Sequence, residues 1–203
     1  PICFERTLLA ADSAFDRWRA TGDPKRLSAS ARRGFELFQG KAGCAACHTI
    51  GEHDALFSDY GLHNTGVEMK ALGARTAAVR RLEIAPGTTL EVRTDATADA
   101  AEKPPTDLGR YEVTGDPADR GKYKTPSLRN VALTGPYMHD GSLATLRDVV
   151  EFYNHGGEPS ALLDPGVHPL GLSDDEIQDL VAFLDSLTSR GIPTLLENVE
   201  NAP

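Results

Sequence analysis

Cys44, Cys47 and His48 stand together in the stretch GCAACHTIG, residues 43–51. Their types and spacing allow three chemistries: a zinc site, a redox dithiol, or covalent attachment of haem. A structural zinc asks for a fourth ligand, usually from a second Cys/His pair at short spacing. The third cysteine, Cys3, is far upstream, and the remaining histidines are scattered. A thioredoxin-like dithiol asks for a βαβ setting, and the flanks here read as helical. Cys-x-x-Cys-His fits haem c directly: two thiols reach the two vinyl groups, and the adjacent histidine is held under the iron as proximal ligand.

What such a haem does depends on its sixth ligand. Met raises the reduction potential and suits electron transfer, Tyr or His lowers it, and an open position binds peroxide. On residue type alone the candidates are Met69, Met138, His63, His139, His155, Tyr137 and Tyr153. Met138, in GPYMHDG, is attractive by type, but a single Met or His is more often packed or solvated than ligating.

Several elements must position these groups. Phe4, Leu8, Ala11, Phe15 and Trp18 recur at helical spacing and predict a helix over 2–19, ended by TGDP. SASARRGFELFQG predicts a second helix over 28–40, capped by Ser28 or Ser30 and closed by Gly40 just before the cysteines. Thr145 with Asp148 caps a helix over 143–155, and Ser173 with Glu176 caps another over 173–189, whose Ile177, Leu180, Val181, Leu184 and Leu187 form one apolar stripe. Between Gly51 and Val113 the helical period fades. LEIAPGTTLEVRT alternates like a short β-hairpin, and the following Pro- and Asp-rich stretch reads as surface loop. The Gly/Pro-dense segment after Val113 carries aromatics and Met, as an ordered, packed loop does.

With 203 residues, 40% hydrophobic and 25% charged, the chain has the composition of a globular protein with a real core. No apolar run approaches the roughly 20 residues of a membrane span. A net charge of −9 argues against nucleic acid as a partner and favours a basic protein. Cys3 reads as a small buried residue on a helix. No export leader is visible before Pro1, so the sequence is expected to be a processed product or to lack an N-terminal part.

At FERTL, GFELFQGKAGCAACH, LHNTGV, VTGDPADRGKYKTPSLRNVALTGPYMHDGSLATLRDVVEFYNHGG and GLSDDEIQDLVAFLDSLT, the chain resembles the bacterial di-haem cytochrome c peroxidases, specifically their MauG-like branch. The resemblance covers nearly everything outside about 68–108 and is to the C-terminal half of those proteins. It implies two haem domains, an N-terminal one where peroxide reacts and a C-terminal six-coordinate electron-transfer centre. With one Cys-x-x-Cys-His, this chain then lacks the peroxidatic haem site.

The family's distal ligand lies in the helix after HDG…TL, and counting on from Leu146 reaches Tyr153, where the MauG-like branch has an axial tyrosine. The resemblance therefore favours Tyr153, with Met138 as the alternative. It also implies calcium held partly by main-chain carbonyls of Thr134 and Pro136, with a side-chain ligand from the other domain. His139 resembles a family residue near this haem, or else is a structural histidine. Arg129, Asn130 and Lys124 are candidates for the haem propionates or for holding their loop. His63 and Asn64 carry no assigned role.

The expected fold is mainly α and cytochrome c-like, one domain over 1–203 around a single haem c, with an insertion at about 68–108 and a tail at 190–203. The expected function is electron relay to a peroxide-reacting haem in a second domain or chain, within a peroxidase-type oxidoreductase fed by a small electron-donor protein in the periplasm. The alternative is a single-haem electron-carrier subunit without peroxidase activity.

Overall fold

The computed structural model describes residues 11–67, 79–85, 87–93 and 108–192. Cys3, Met69, the start of the first expected helix, most of the insertion and the tail beyond 192 lie outside the described residues. The chain divides into two compact units: Pro1–Gly61 with Lys124–Gly156 and Pro165–Pro203, and Leu62–Tyr123 with Gly157–Asp164.

In the first unit, α1 is Ala14–Thr21 and begins later than the helix expected over 2–19. The cause is a capping box the hydrophobic period does not register. The Ser13 hydroxyl accepts from the Asp16 amide at 3.2 Å, and the Asp16 carboxylate accepts from the Ser13 amide at 3.0 Å. The box sets the first turn of the helix at Ala14, and residues 11–13 are not helical.

Helix α2, Ala29–Gln39, is capped by Ser28. Helices α4, Leu146–Asn154, and α5, Asp174–Asp185, open on the Thr145/Asp148 and Ser173/Glu176 boxes. Each of the three lies inside the range expected for it, because the capping residue stands outside the helix and the last turn fails to continue. The short α3, Tyr111–Thr114, belongs to the second unit.

Helix α2 packs on α5 so closely that a Cβ on Gly34 would lie 1.9 Å from the Asp179 carbonyl oxygen. The core around this crossing is aromatic. Phe15, Phe38, Phe57 and Phe183 are at most 2% exposed, with Phe38–Phe183 centroids 5.0 Å apart and Phe15–Phe183 at 5.6 Å, edge to face. Such pairs add about 0.5–1.5 kcal/mol each beyond the area they bury. Leu146 and Val150 of α4 and Ile177, Leu180 and Leu184 of α5 complete the wall.

In the second unit, β1, Leu62–Asn64, pairs with β4, Lys122–Lys124, which ends one residue past that unit's first stretch, and β2, Val79–Ala85, pairs antiparallel with β3, Thr88–Arg93. The hairpin expected in LEIAPGTTLEVRT forms with Leu82 opposite Leu90 and an irregularity between Glu83 and Ala85. Asn64 is 1% exposed. Its side chain donates to the Arg120 carbonyl at 2.8 Å and accepts from the Gly66 amide at 2.7 Å. Among the described residues, no helix is long and apolar enough to cross a membrane.

Candidate functional site

The cysteine motif sits on a tight turn directly after α2. Gly43 takes a left-handed φ of 63°, which a side chain disfavours, and a 3-10 turn follows over Cys44–Ala46. The Cys44 carbonyl accepts from the His48 amide at 2.9 Å, and the Cys47 carbonyl accepts from the Asp59 amide at 2.8 Å. Both thiols are therefore held on a rigid loop, and neither is in a disulfide. Burial pushes the Cys44 thiol up to about 11, with the neighbouring Cys47 adding to the shift. A thiol that stays protonated resists oxidation to a disulfide, so the Cys44 sulfur stays available for a thioether bond.

His48 is oriented from behind. Its Nδ1 lies 2.9 Å from the Phe57 carbonyl oxygen, which fixes the hydrogen on Nδ1 and the lone pair on Nε2. The Phe38 ring lies 6.5 Å away on one side. Phe57 adopts a left-handed φ of 54° while fully buried. Its amide donates to the Thr49 carbonyl at 3.0 Å, and the Thr49 hydroxyl donates to the Ser58 carbonyl at 2.9 Å, so the loop folds back onto the motif.

Tyr153 comes from the last turn of α4, distant in sequence from the cysteines. Burial pushes its phenol up to about 12, and Cys44 and Cys47 are near enough for their charges to add to the shift. The residue retains some accessible surface. The end of α4 is pinned by Asn154, whose side chain accepts from the Leu172 amide at 2.8 Å and donates to the Leu172 carbonyl at 3.2 Å.

The other candidates make local contacts, sit in turns or are exposed. Tyr137 donates its hydroxyl to the Val131 carbonyl at 3.1 Å. His155 is exposed and uses Nδ1 with the Glu151 carbonyl at 2.7 Å. His63 pairs with Asp164 at 2.7 Å in the second unit. Met138 is half-buried with a left-handed φ of 70°, in a turn closed by Tyr137 and Leu143. His139, Thr134 and Pro136 are exposed on the same loop.

Arg129 is committed to protein groups: its Nη1 donates to Asp16 at 2.6 Å and its Nε donates to the Ala55 carbonyl at 2.8 Å. Asn130 accepts from the Ser189 amide at 2.7 Å. Lys124 lies 4.6 Å from the Tyr60 ring centroid. Sequence reasoning missed Phe57 and Asp16: a carbonyl acceptor leaves no mark in residue type, whereas Ser13-x-x-Asp16 is a readable capping signature.

Two reduced thiols, an imidazole fixed as a nitrogen donor and a buried phenol near the thiols, walled by apolar side chains, form a donor set that fits a covalently attached haem. The fold and donor set define the class, a helix-rich protein suited to a c-type haem. No family model matches the chain. It is 41% identical over 190 residues to a cytochrome-c peroxidase, IdrP1, of Denitromonas iodatirespirans, covering 91% of this chain and 47% of that one. It is 37% identical over 186 residues to the methylamine utilization protein MauG of Methylorubrum extorquens, covering 91% and 41%. Among solved structures, a MauG-like protein associated with microbial copper homeostasis superposes with a TM-score of 0.64 at 32% identity, over 90% of this chain and 53% of that one. The chain belongs to the MauG-like di-haem cytochrome c peroxidase family, and it spans about half the length of the curated relatives it matches.

Proposed function

We propose that this chain is the electron-transfer haem domain of a MauG-like di-haem peroxidase, corresponding to the C-terminal half of such proteins and relaying electrons to a peroxide-reacting haem outside it. Cys44 and Cys47 hold the haem covalently, His48 is the proximal ligand and Tyr153 the distal one. A haem bound here supplies a one-electron iron couple. One observation supports this reading above others: Cys44 and Cys47 are free thiols on one tight turn, directly before His48, whose Nδ1 is held 2.9 Å from the Phe57 carbonyl oxygen.

Around that couple the protein does three things. The Phe57 carbonyl holds the His48 imidazole in the tautomer that ligates through Nε2. The buried phenol of Tyr153 offers an oxygen donor that favours ferric over ferrous iron. Phe38 and Phe57, at most 2% exposed, would keep water from a haem held by His48. A low-potential centre of this kind suits storage and relay of oxidising equivalents more than simple electron carriage. The reading places the protein in the periplasm, with a basic electron donor matching the net charge of −9. It also places a calcium ion at the main-chain carbonyls of Thr134 and Pro136, completed by the second domain.

The test is haem stoichiometry with peroxide turnover, after production in a host that attaches c-type haem. The expected result is one covalent haem per chain, no peroxide turnover alone, and turnover when the second haem domain is joined to it. Turnover that never appears with both domains present points instead to the single-haem carrier.

A further inference from the structure

We propose that Arg129 and Asp16 form a positioning pair for the iron-ligating histidine, acting through the Phe57 carbonyl and thereby setting the potential of the haem. The proposal rests on the reading of His48 as proximal ligand. Arg129 lies between two of its neighbours and the loop it controls. Its Nη1 donates to Asp16 Oδ2 at 2.6 Å, its Nε donates to the Ala55 carbonyl at 2.8 Å, and its guanidinium carbon lies 5.3 Å from the centroid of the Phe57 ring. Both side chains are largely withdrawn from solvent, at 15% and 17% exposure.

Asp16 is itself tied to a helix cap. Its Oδ2 accepts from the Ser13 hydroxyl at 2.7 Å and from the Ser13 amide at 3.0 Å, which ties it to the start of α1. The guanidinium plane is thus fixed at one edge by a helix cap and grips the 55–57 segment with the other, by hydrogen bond at Ala55 and by cation–π contact at Phe57. Phe57 sits in a left-handed conformation that costs a non-glycine residue energy. Something must hold it there, and the hydrogen bond it supports is the 2.9 Å contact to His48 Nδ1.

A hydrogen bond accepted from Nδ1–H makes an imidazole a stronger donor to its metal. Loosening the Phe57 carbonyl weakens that effect, destabilises ferric relative to ferrous iron, and raises the potential. Bare charge effects have a different signature: removing the Arg129 cation favours the ferric state and lowers the potential, whereas neutralising Asp16 raises it. Positioning therefore predicts one direction for both partners, and electrostatics predicts opposite directions.

The experiment is a spectroelectrochemical titration of this haem in the haem-loaded protein, comparing wild type with Arg129→Lys, Arg129→Ala and Asp16→Asn, with covalent haem content and thermal melting measured alongside. All three variants are expected to shift the midpoint upward. Arg129→Lys, which keeps the charge but loses the planar fork, is expected to raise the ferrous-to-ferric ratio at fixed poise about tenfold, ~59 mV for a one-electron couple. An unchanged potential in Arg129→Lys overturns the proposal, as does a fall in Arg129→Ala beside a rise in Asp16→Asn. If Arg129→Ala loses its fold, the lysine variant decides. Wild-type protein without covalent haem overturns both this proposal and the function it rests on.

Discussion

Gly34 and Asp179 meet where α2 crosses α5, with the Asp179 carbonyl oxygen 1.9 Å from the place a Cβ on residue 34 would take. The same aspartate reaches back across the crossing. Its carboxylate accepts from Arg33 Nε at 2.6 Å, from Arg33 Nη2 at 2.7 Å and from the Ser30 hydroxyl at 2.5 Å. Backbone contact and a two-pronged ion pair thus fix one geometry for the two helices that wall the core. Gly34→Ala must push them apart, and overpacking of this kind costs about 1–3 kcal/mol. The expected outcome is a lowered melting temperature with little change in α-helical content; an unchanged melt would show that the helices separate freely.

Acid should weaken the same crossing. The Arg33 guanidinium holds the Asp179 carboxyl below the usual carboxylate range, against the opposing effect of burial. At Asp16 burial is the largest single influence and acts upward, but hydrogen bonds from Arg129 and Ser13 together outweigh it and leave the carboxyl lowered. A carboxylate lowered on folding contributes stability that is present above its unfolded pKa, about 3.9, and is lost as pH falls through the folded value. Asp185, pushed up by burial, works in the opposite sense and offsets part of the loss. Urea midpoints should therefore fall steeply below about pH 4, and less steeply in Asp179→Asn. Parallel slopes in the two proteins would rule out this linkage.

The legible parts of the molecule were those with local signatures. Thr145/Asp148 and Ser173/Glu176 show the starts of α4 and α5 directly, because a capping box uses residues three apart. Cys44, Cys47 and His48 declare their chemistry within one turn of chain. The start of the first expected helix was misplaced because its apolar spacing continues across Ser13, where the Ser13/Asp16 box sets the first turn. Arg129 was readable as an anion partner, but its partner Asp16 is remote in sequence and belongs to no motif with it. The Phe57 carbonyl was invisible, since backbone acceptors are placed by tertiary structure and not by side-chain type. Tyr153 is proposed through family resemblance; periodicity alone ranks it with every other aromatic on the core side of a helix.

Covalent attachment gives a direct test of the motif. In Cys47→Ser the turn that ends at the Cys44 carbonyl remains intact, since its bonds come from the backbone, but one thioether is lost. The expected outcome is a large loss of haem that survives denaturing electrophoresis, greater still in Cys44→Ser/Cys47→Ser, with thermal unfolding of the helices retained. Full covalent haem in the double variant would falsify attachment at these thiols.

The last prediction concerns Tyr153. Its phenol is pushed up to about 12 by burial and by the nearby thiols, so at neutral pH it is protonated when nothing compensates the charge. A cation in place of that proton reverses the balance, since an adjacent positive centre favours the anionic form of a buried acid. Ferric iron is such a centre and ferrous iron is a weaker one, so tyrosinate ligation should stabilise the oxidised state and lower the potential. Tyr153→Phe removes the oxygen at nearly constant volume: the ferric electron paramagnetic resonance signal should change with the loss of the sixth ligand, and the potential should rise. Tyr153→Met should restore six-coordination at a higher potential than the wild type, because thioether sulfur favours ferrous iron. If both variants keep the wild-type resonance and midpoint, Tyr153 is not bound to the iron, and the half-buried Met138 becomes the residue to replace next.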